Sequence, residues 1–106
     1  MNKLEVIATT KVNPFPVWLQ LLEMDESLHR EQEADGLAFR DGSNLAIAIW
    51  PKLGKRAAVP ILVHEISHVL EMLEDIIEEP IHGEVRAYTT GWLMEWAWDA
   101  YCARRK

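Results

Sequence analysis

Between about Ala57 and Ile76 the chain carries a helical repeat that constrains everything around it. At about 100° per residue, Val59, Leu62, Val63, Ile66, Val69, Leu70 and Leu73 fall on one apolar stripe. Pro60 sits in the first turn, where a missing N–H is harmless. The stripe predicts a helix with one face in a core. His64 and His68 lie on the far side of it, flanked by Ile61 and Met72. That second face is not simply polar, so something apolar should cover it as well.

The far side reads His64-Glu65-Ile66-Ser67-His68, an H-E-x-x-H motif. Residues i and i+4 of a helix share one face, one turn apart. Two imidazoles placed there converge on a single tetrahedral Zn²⁺. Glu65 follows the first histidine and stands beside the metal without having to bind it. A carboxylate in that position takes a proton from a water at the metal, which is the work of a general base. The competing account makes both histidines surface residues of an amphipathic helix.

A catalytic zinc usually has three protein ligands and one open position. The metzincin arrangement places a glycine three residues after the second histidine and a third histidine three further on. Those positions hold Glu71 and Glu74 here, so the helix should continue through them. The other arrangement takes a glutamate from a following helix. Pro80 breaks the chain, and a last helix is expected from Ile81 or Glu84 to Ala103. Glu84 is the leading third ligand, with Glu78, Glu79 and His82 as rivals. His82 would point about 160° away from Glu84 if the helix has already begun. On an antiparallel returning helix, Glu84, Tyr88, Gly91 and Glu95 form one stripe over the histidines, and Gly91 would let the helices approach closely. Tyr88 offers a phenol hydrogen bond to a ligand or substrate, or simply packs in the core. Glu95 either orients a histidine N–H or faces solvent.

The remaining segments supply a small sheet. Leu4 to Thr10 reads as a first strand. Asn13-Pro14-Phe15-Pro16 is a breaker, and Val17 to Glu33 has a helical pattern with a break near Asp25. Leu37 to Arg40 and Leu45 to Trp50 are the arms of a hairpin around Asp41-Gly42-Ser43-Asn44. In the second arm, Leu45, Ile47 and Ile49 alternate with two alanines, which suits a strand with one heavily packed face. The expected class is α+β. A short antiparallel sheet, built from the hairpin at 37–50 and the N-terminal strand, packs on the motif helix and the C-terminal helix. All of residues 1–106 belong to one domain, a length that suits one core and not two.

Composition narrows the function classes. A net charge of −6 with scattered basic residues argues against a nucleic-acid surface. One cysteine, Cys102, makes neither an internal disulfide nor a cysteine-type zinc site. No apolar run approaches about 18 residues, so no membrane span is expected. Glu5 interrupts the N-terminus too early for a signal peptide. The expected compartment is therefore the cytoplasm. Trp92, Trp96 and Trp98 cluster near the end; they pack against the hairpin or form an exposed aromatic patch.

His64-Glu65-Ile66-Ser67-His68 followed by Glu84-Val85-Arg86-Ala87-Tyr88 resembles the minimal zincin-like domains encoded by bacteriophages. These are small gluzincin-type metallopeptidase domains with H-E-x-x-H followed by E-x-x-A-Y. The resemblance spans roughly residues 36 to 100 and includes the hairpin leading into the motif helix. More distantly, the chain is similar to zincin-like regulators that cleave phage repressors. The resemblance implies Zn²⁺ held by His64, His68 and Glu84, with Glu65 as general base. It also implies a peptide substrate added to a strand beside the active helix, here Leu45 to Trp50. The chain departs from thermolysin-like enzymes in its short interval from His68 to Glu84 and in lacking a second domain to wall a cleft. The expected activity is zinc-dependent hydrolysis of peptide bonds, with the oxyanion on the metal and on Tyr88. The alternative is a metal-stabilised or metal-free interaction module of phage origin. Expected partners are a peptide or protein substrate, a second copy, or a phage or host protein in a bacterial cytoplasm, with no nucleic acid and no membrane.

Overall fold

The computed structural model describes residues 3–104. The chain runs β1 (Leu4–Lys11), β2 (Trp18–Met24), α1 (Glu26–Gln32), β3 (Gly36–Asp41), β4 (Asn44–Ile49), α2 (Lys55–Ile77) and α3 (Gly83–Ala103). It is an α+β domain with a four-stranded mixed sheet in the order β1-β2-β4-β3. β1 pairs with β2 and β3 with β4 in antiparallel fashion. β2 and β4 run parallel, Leu19 opposite Leu45 and Leu21 opposite Ile47.

Two expectations are corrected here. The sheet is mixed and not purely antiparallel, and the segment from Val17 to Glu33 is not mainly helical. Its first half is a strand in the middle of the sheet. Leu19 and Leu21 join the core under α2 and α3, while Leu22 and Met24 join a second cluster on the opposite face. A strand buried on both faces shows no clean alternation, so its leucines mimic a helical stripe. The helix begins only at Glu26, where Asp25 caps it by accepting the Leu28 N–H at 2.8 Å.

β4 is likewise buried on both faces. Leu45, Ile47 and Ile49 pack under the helices, and Ala46 and Ala48 pack beneath the sheet with Leu22 and Met24. From β4 the chain passes through residues 50–54 and doubles back over the sheet as α2. The Tyr101 hydroxyl, from α3, donates to the Leu53 carbonyl at 2.8 Å and holds that link. α2 buries Ala58, Leu62, Glu65, Ile66, Val69, Leu70 and Leu73. Val59 and Val63, expected in the stripe, are exposed, because the helix is rolled toward β3 and takes Glu65 inward instead. α3 turns Thr89, Leu93, Ala97 and Tyr101 into the same core. Among the described residues, no helix is long and apolar enough to cross a membrane.

Candidate metal centre

α2 runs unbroken past the metzincin positions to Ile77, as expected from the missing glycine. His64 and His68 therefore stand one turn apart on an exposed face, and their Nε2 atoms lie 3.2 Å from each other. Two nitrogens bound to one tetrahedral zinc at about 2.0–2.1 Å are about 3.3 Å apart. The spacing fits a shared cation. The protons fit as well. His68 Nδ1 lies 3.0 Å from Glu71 Oε1, and with its proton there it donates to that carboxylate. His68 Nε2 is then a bare lone pair directed at His64 Nε2. Either a donated proton or a cation between them relieves that opposition. A carboxylate behind a ligating imidazole fixes its tautomer and raises its basicity.

Glu65 completes the group. One ligand atom from each of His64, Glu65 and His68 lies within 4.8 Å of the others. The Glu65 side chain is only 6% exposed, and no group among the described residues donates a hydrogen bond to its carboxylate. Burial pushes its pKa above the ordinary value, and the neighbouring His64 and His68 pull it back down. Burial is the larger influence, so the carboxyl group holds its proton more tightly than an ordinary glutamate.

Gly36 makes room for this acid. A Cβ built on Gly36 would stand 2.6 Å from Ile61 Cγ2 and 3.1 Å from Glu65 Oε2. Only a residue without a side chain lets α2 lie this close to the start of β3. With Leu37, Ala38, Glu71 and Met72, these residues line an open hollow of about 500 Å³ around the histidines.

β3 is an edge strand, whereas β4 is hydrogen-bonded to β2 on one side and to β3 on the other. This corrects the strand expected to receive a peptide: Leu45 to Trp50 has no free edge, and β3 does. The alternation of antiparallel bonding identifies the free groups. The Trp50 N–H donates to the Asp35 carbonyl at 2.9 Å, so that pair is of the bonded type. Counting along the register, Leu37, Phe39 and Asp41 bond to β4, and Gly36, Ala38 and Arg40 turn their N–H and C=O groups outward.

The residues expected from the last helix lie elsewhere. Glu84 and Tyr88 line a hollow of about 620 Å³ with Asn13, Pro14 and Trp92, and Glu84 is not part of the histidine group. The stripe of Glu84, Tyr88, Gly91 and Glu95 faces outward, half a turn from Leu93, with Tyr88 75% exposed. A Cβ on Gly91 would meet nothing within 4 Å, so no close helix contact explains that glycine. His82 is the N-cap residue of α3 and Glu78 the C-cap residue of α2, and neither joins the group, nor does Glu79. Glu74 instead ties the two helices together. Its Oε2 accepts the Ile81 N–H at 2.7 Å, and Arg86 Nη1 reaches its Oε1 at 3.4 Å. The backbone bond and then the guanidinium hold its pKa below the ordinary carboxylate value. Of the tryptophans, Trp96 and Trp98 pack on the main core, and Trp92 remains 42% exposed beside Pro14.

Two residues beside the histidines fall outside the expected site. Glu71 occupies a metzincin position, although its spacing of three from His68 already allows the pair. Gly36 precedes the hairpin expected at 37–50. No local signal marks its contact with Glu65, because the contact joins a strand to a helix far along the chain. Comparison of the chain with protein-family models, with curated proteins and with solved structures finds no match.

Proposed function

We propose that this chain is a zinc-dependent peptidase of zincin-like type, acting on an extended peptide laid along β3. The observation that carries the proposal is the convergence of His64 Nε2 and His68 Nε2 beside the buried Glu65, whose carboxylate accepts no hydrogen bond among the described residues. His64 and His68 would hold the ion, a pair of imidazoles that suits zinc, and the Glu65 carboxylate would stand beside it without binding it. Zinc there would polarise the scissile carbonyl and lower the pKa of a water toward about 7. Glu65 would take the proton of the attacking water and return it to the leaving amine. Glu71 keeps the His68 ring in the tautomer that presents Nε2 to the ion. The outward backbone groups of Gly36, Ala38 and Arg40 bind the peptide main chain by strand addition. Tyr88 and Glu84, on the outer face of α3, have no part in this scheme.

The test is turnover of a quenched peptide library by the zinc-loaded chain and by Glu65→Gln. The expected result is cleavage by the first and a loss of about 10²–10⁴-fold in the second, with zinc still bound. Undiminished cleavage by the variant would remove the base from the scheme.

A second reading is favoured by the exposed apolar ridge of Val85, Tyr88 and Trp92 on α3. In it the chain is a metal-supported interaction module, of phage origin, without physiological proteolysis. Chelation that unfolds the chain, together with an uncut library, selects this reading.

A further inference from the structure

The helical row that carries His64 and His68 does not end with them. Glu71 and Asp75 continue it toward the C-terminus of α2, and Glu78 closes it at the cap. All three are exposed. Glu71 pairs with His68, whereas Asp75 and Glu78 have no ion-pair partner among the described residues. In the other direction the row holds Ala57 and Ile61, without charge. The acidic end alone would be an ordinary solvated surface. The hollow beside it is marked as a binding site on separate grounds: Glu65, 6% exposed and accepting no hydrogen bond among the described residues, lines it together with His64, His68 and Glu71.

The polarity of β3 relates this charge to a substrate. β3 begins at Gly36, against Ile61 and Glu65 in the first half of α2. α2 doubles back along β4, and β3 is antiparallel to β4, so β3 and α2 run in the same direction. A peptide added to the free edge in the more stable antiparallel sense runs against both. Its N-terminal part then lies toward Glu71 and Asp75, and its C-terminal part toward the uncharged end of the row. Glu71 and Asp75 are about 7 and about 13 Å along the helix from the midpoint of the histidines, at about 1.5 Å per residue. An extended chain covers that span in about two to four residues. Arg40, the cation at the far end of β3, donates to the Gly42 carbonyl at 3.2 Å and forms no ion pair with the row among the described residues.

We propose, resting on the peptidase reading, that the substrate is an extended peptide with Lys or Arg two to four residues N-terminal of the scissile bond. The carboxylates of Glu71 and Asp75 receive those cations, Glu78 one turn further on adds to the same negative end, and together they set the direction in which the peptide lies.

Three quenched peptides test this. One carries two lysines at those positions, one carries two glutamates there, and one carries the lysines on the C-terminal side. With the zinc-loaded chain, the first should be cut about tenfold more efficiently than either of the others, and the advantage should shrink at high salt. Asp75→Lys combined with Glu78→Lys, both outside the catalytic group, should erase the advantage. Equal cleavage of all three peptides, preference for the third, or an advantage that survives the double substitution overturns the proposal. If no peptide is cut, the hydrolytic reading fails. Fluorescence anisotropy of the same peptides on the zinc-loaded chain then decides the charge preference separately. Tighter binding of the first peptide, lost in the double variant, supports it, and equal binding overturns it.

Discussion

α2 and α3 each carry a stripe of polar side chains at helical spacing, and the fold treats the two oppositely. The stripe on α2 stands at the edge of β3, with Glu65 drawn into the core beside it. The stripe on α3 faces solvent. The difference lies in the rest of each helix. α2 has its large aliphatic residues concentrated on one side, so its orientation follows from burial. α3 carries Val85, Tyr88, Trp92, Leu93, Met94, Trp96 and Trp98 around most of its circumference, so several rotations bury comparable apolar area. Periodicity states which residues share a face, and only an asymmetric helix states which face turns inward.

The largest expected contrast between the two stripes is in metal uptake. His64→Ala or His68→Ala should abolish stoichiometric zinc binding measured by elemental analysis after dialysis, and Glu84→Ala should leave it unchanged. Loss of zinc from Glu84→Ala would mean that α3 is rotated relative to the arrangement described. Next in size, Glu71→Gln should weaken zinc binding by about 10–100-fold in a competition titration, because the His68 ring loses its orienting carboxylate. A full-affinity variant would show that the 3.0 Å contact is incidental.

The two glycines sharpen the same contrast in stability. Gly36→Ala forces Ile61 and Glu65 aside and should cost about 1–3 kcal/mol in urea denaturation. Gly91→Ala meets open space in a helix interior and should stabilise by about 1 kcal/mol. Equal effects would sink the claim that α2 and β3 are in unusually close contact.

The smallest effect concerns pH. Burial raises the pKa of Glu65 in the folded chain, so the folded state holds its proton more tightly than the unfolded state. The stability this supplies is complete below the unfolded pKa and is lost as pH rises through the folded one. Without metal, Glu65→Gln should therefore gain in Tm relative to the parent chain as pH rises from mildly acidic to neutral. A constant Tm difference across that range would remove the argument.

Much of the fold was legible in the residues. The hairpin, the motif helix and the last helix follow from alternation, a Gly-containing turn and helical spacing, and they lie within a few residues of expectation. β2 was hidden, because Leu19, Leu21, Leu22 and Met24 serve two cores at once and leave no single-period signal. The donors within the motif were legible because one helix supplies them all. The setting of the site was not. The edge at β3, the close approach at Gly36 and the outward rotation of α3 all depend on contacts between segments distant in the chain.

The parallel pairing of β2 with β4 bears on how the chain acquires its structure. The first two strands form a local hairpin, yet β2 stays unsatisfied on one side until the second hairpin arrives and seats β4 against it. Closure of that long loop costs chain entropy before any contact offsets it. During synthesis the apolar flank of β2 is exposed until residue 49 has emerged, and in that interval the nascent segment is most open to chaperones and to misassociation with other strands.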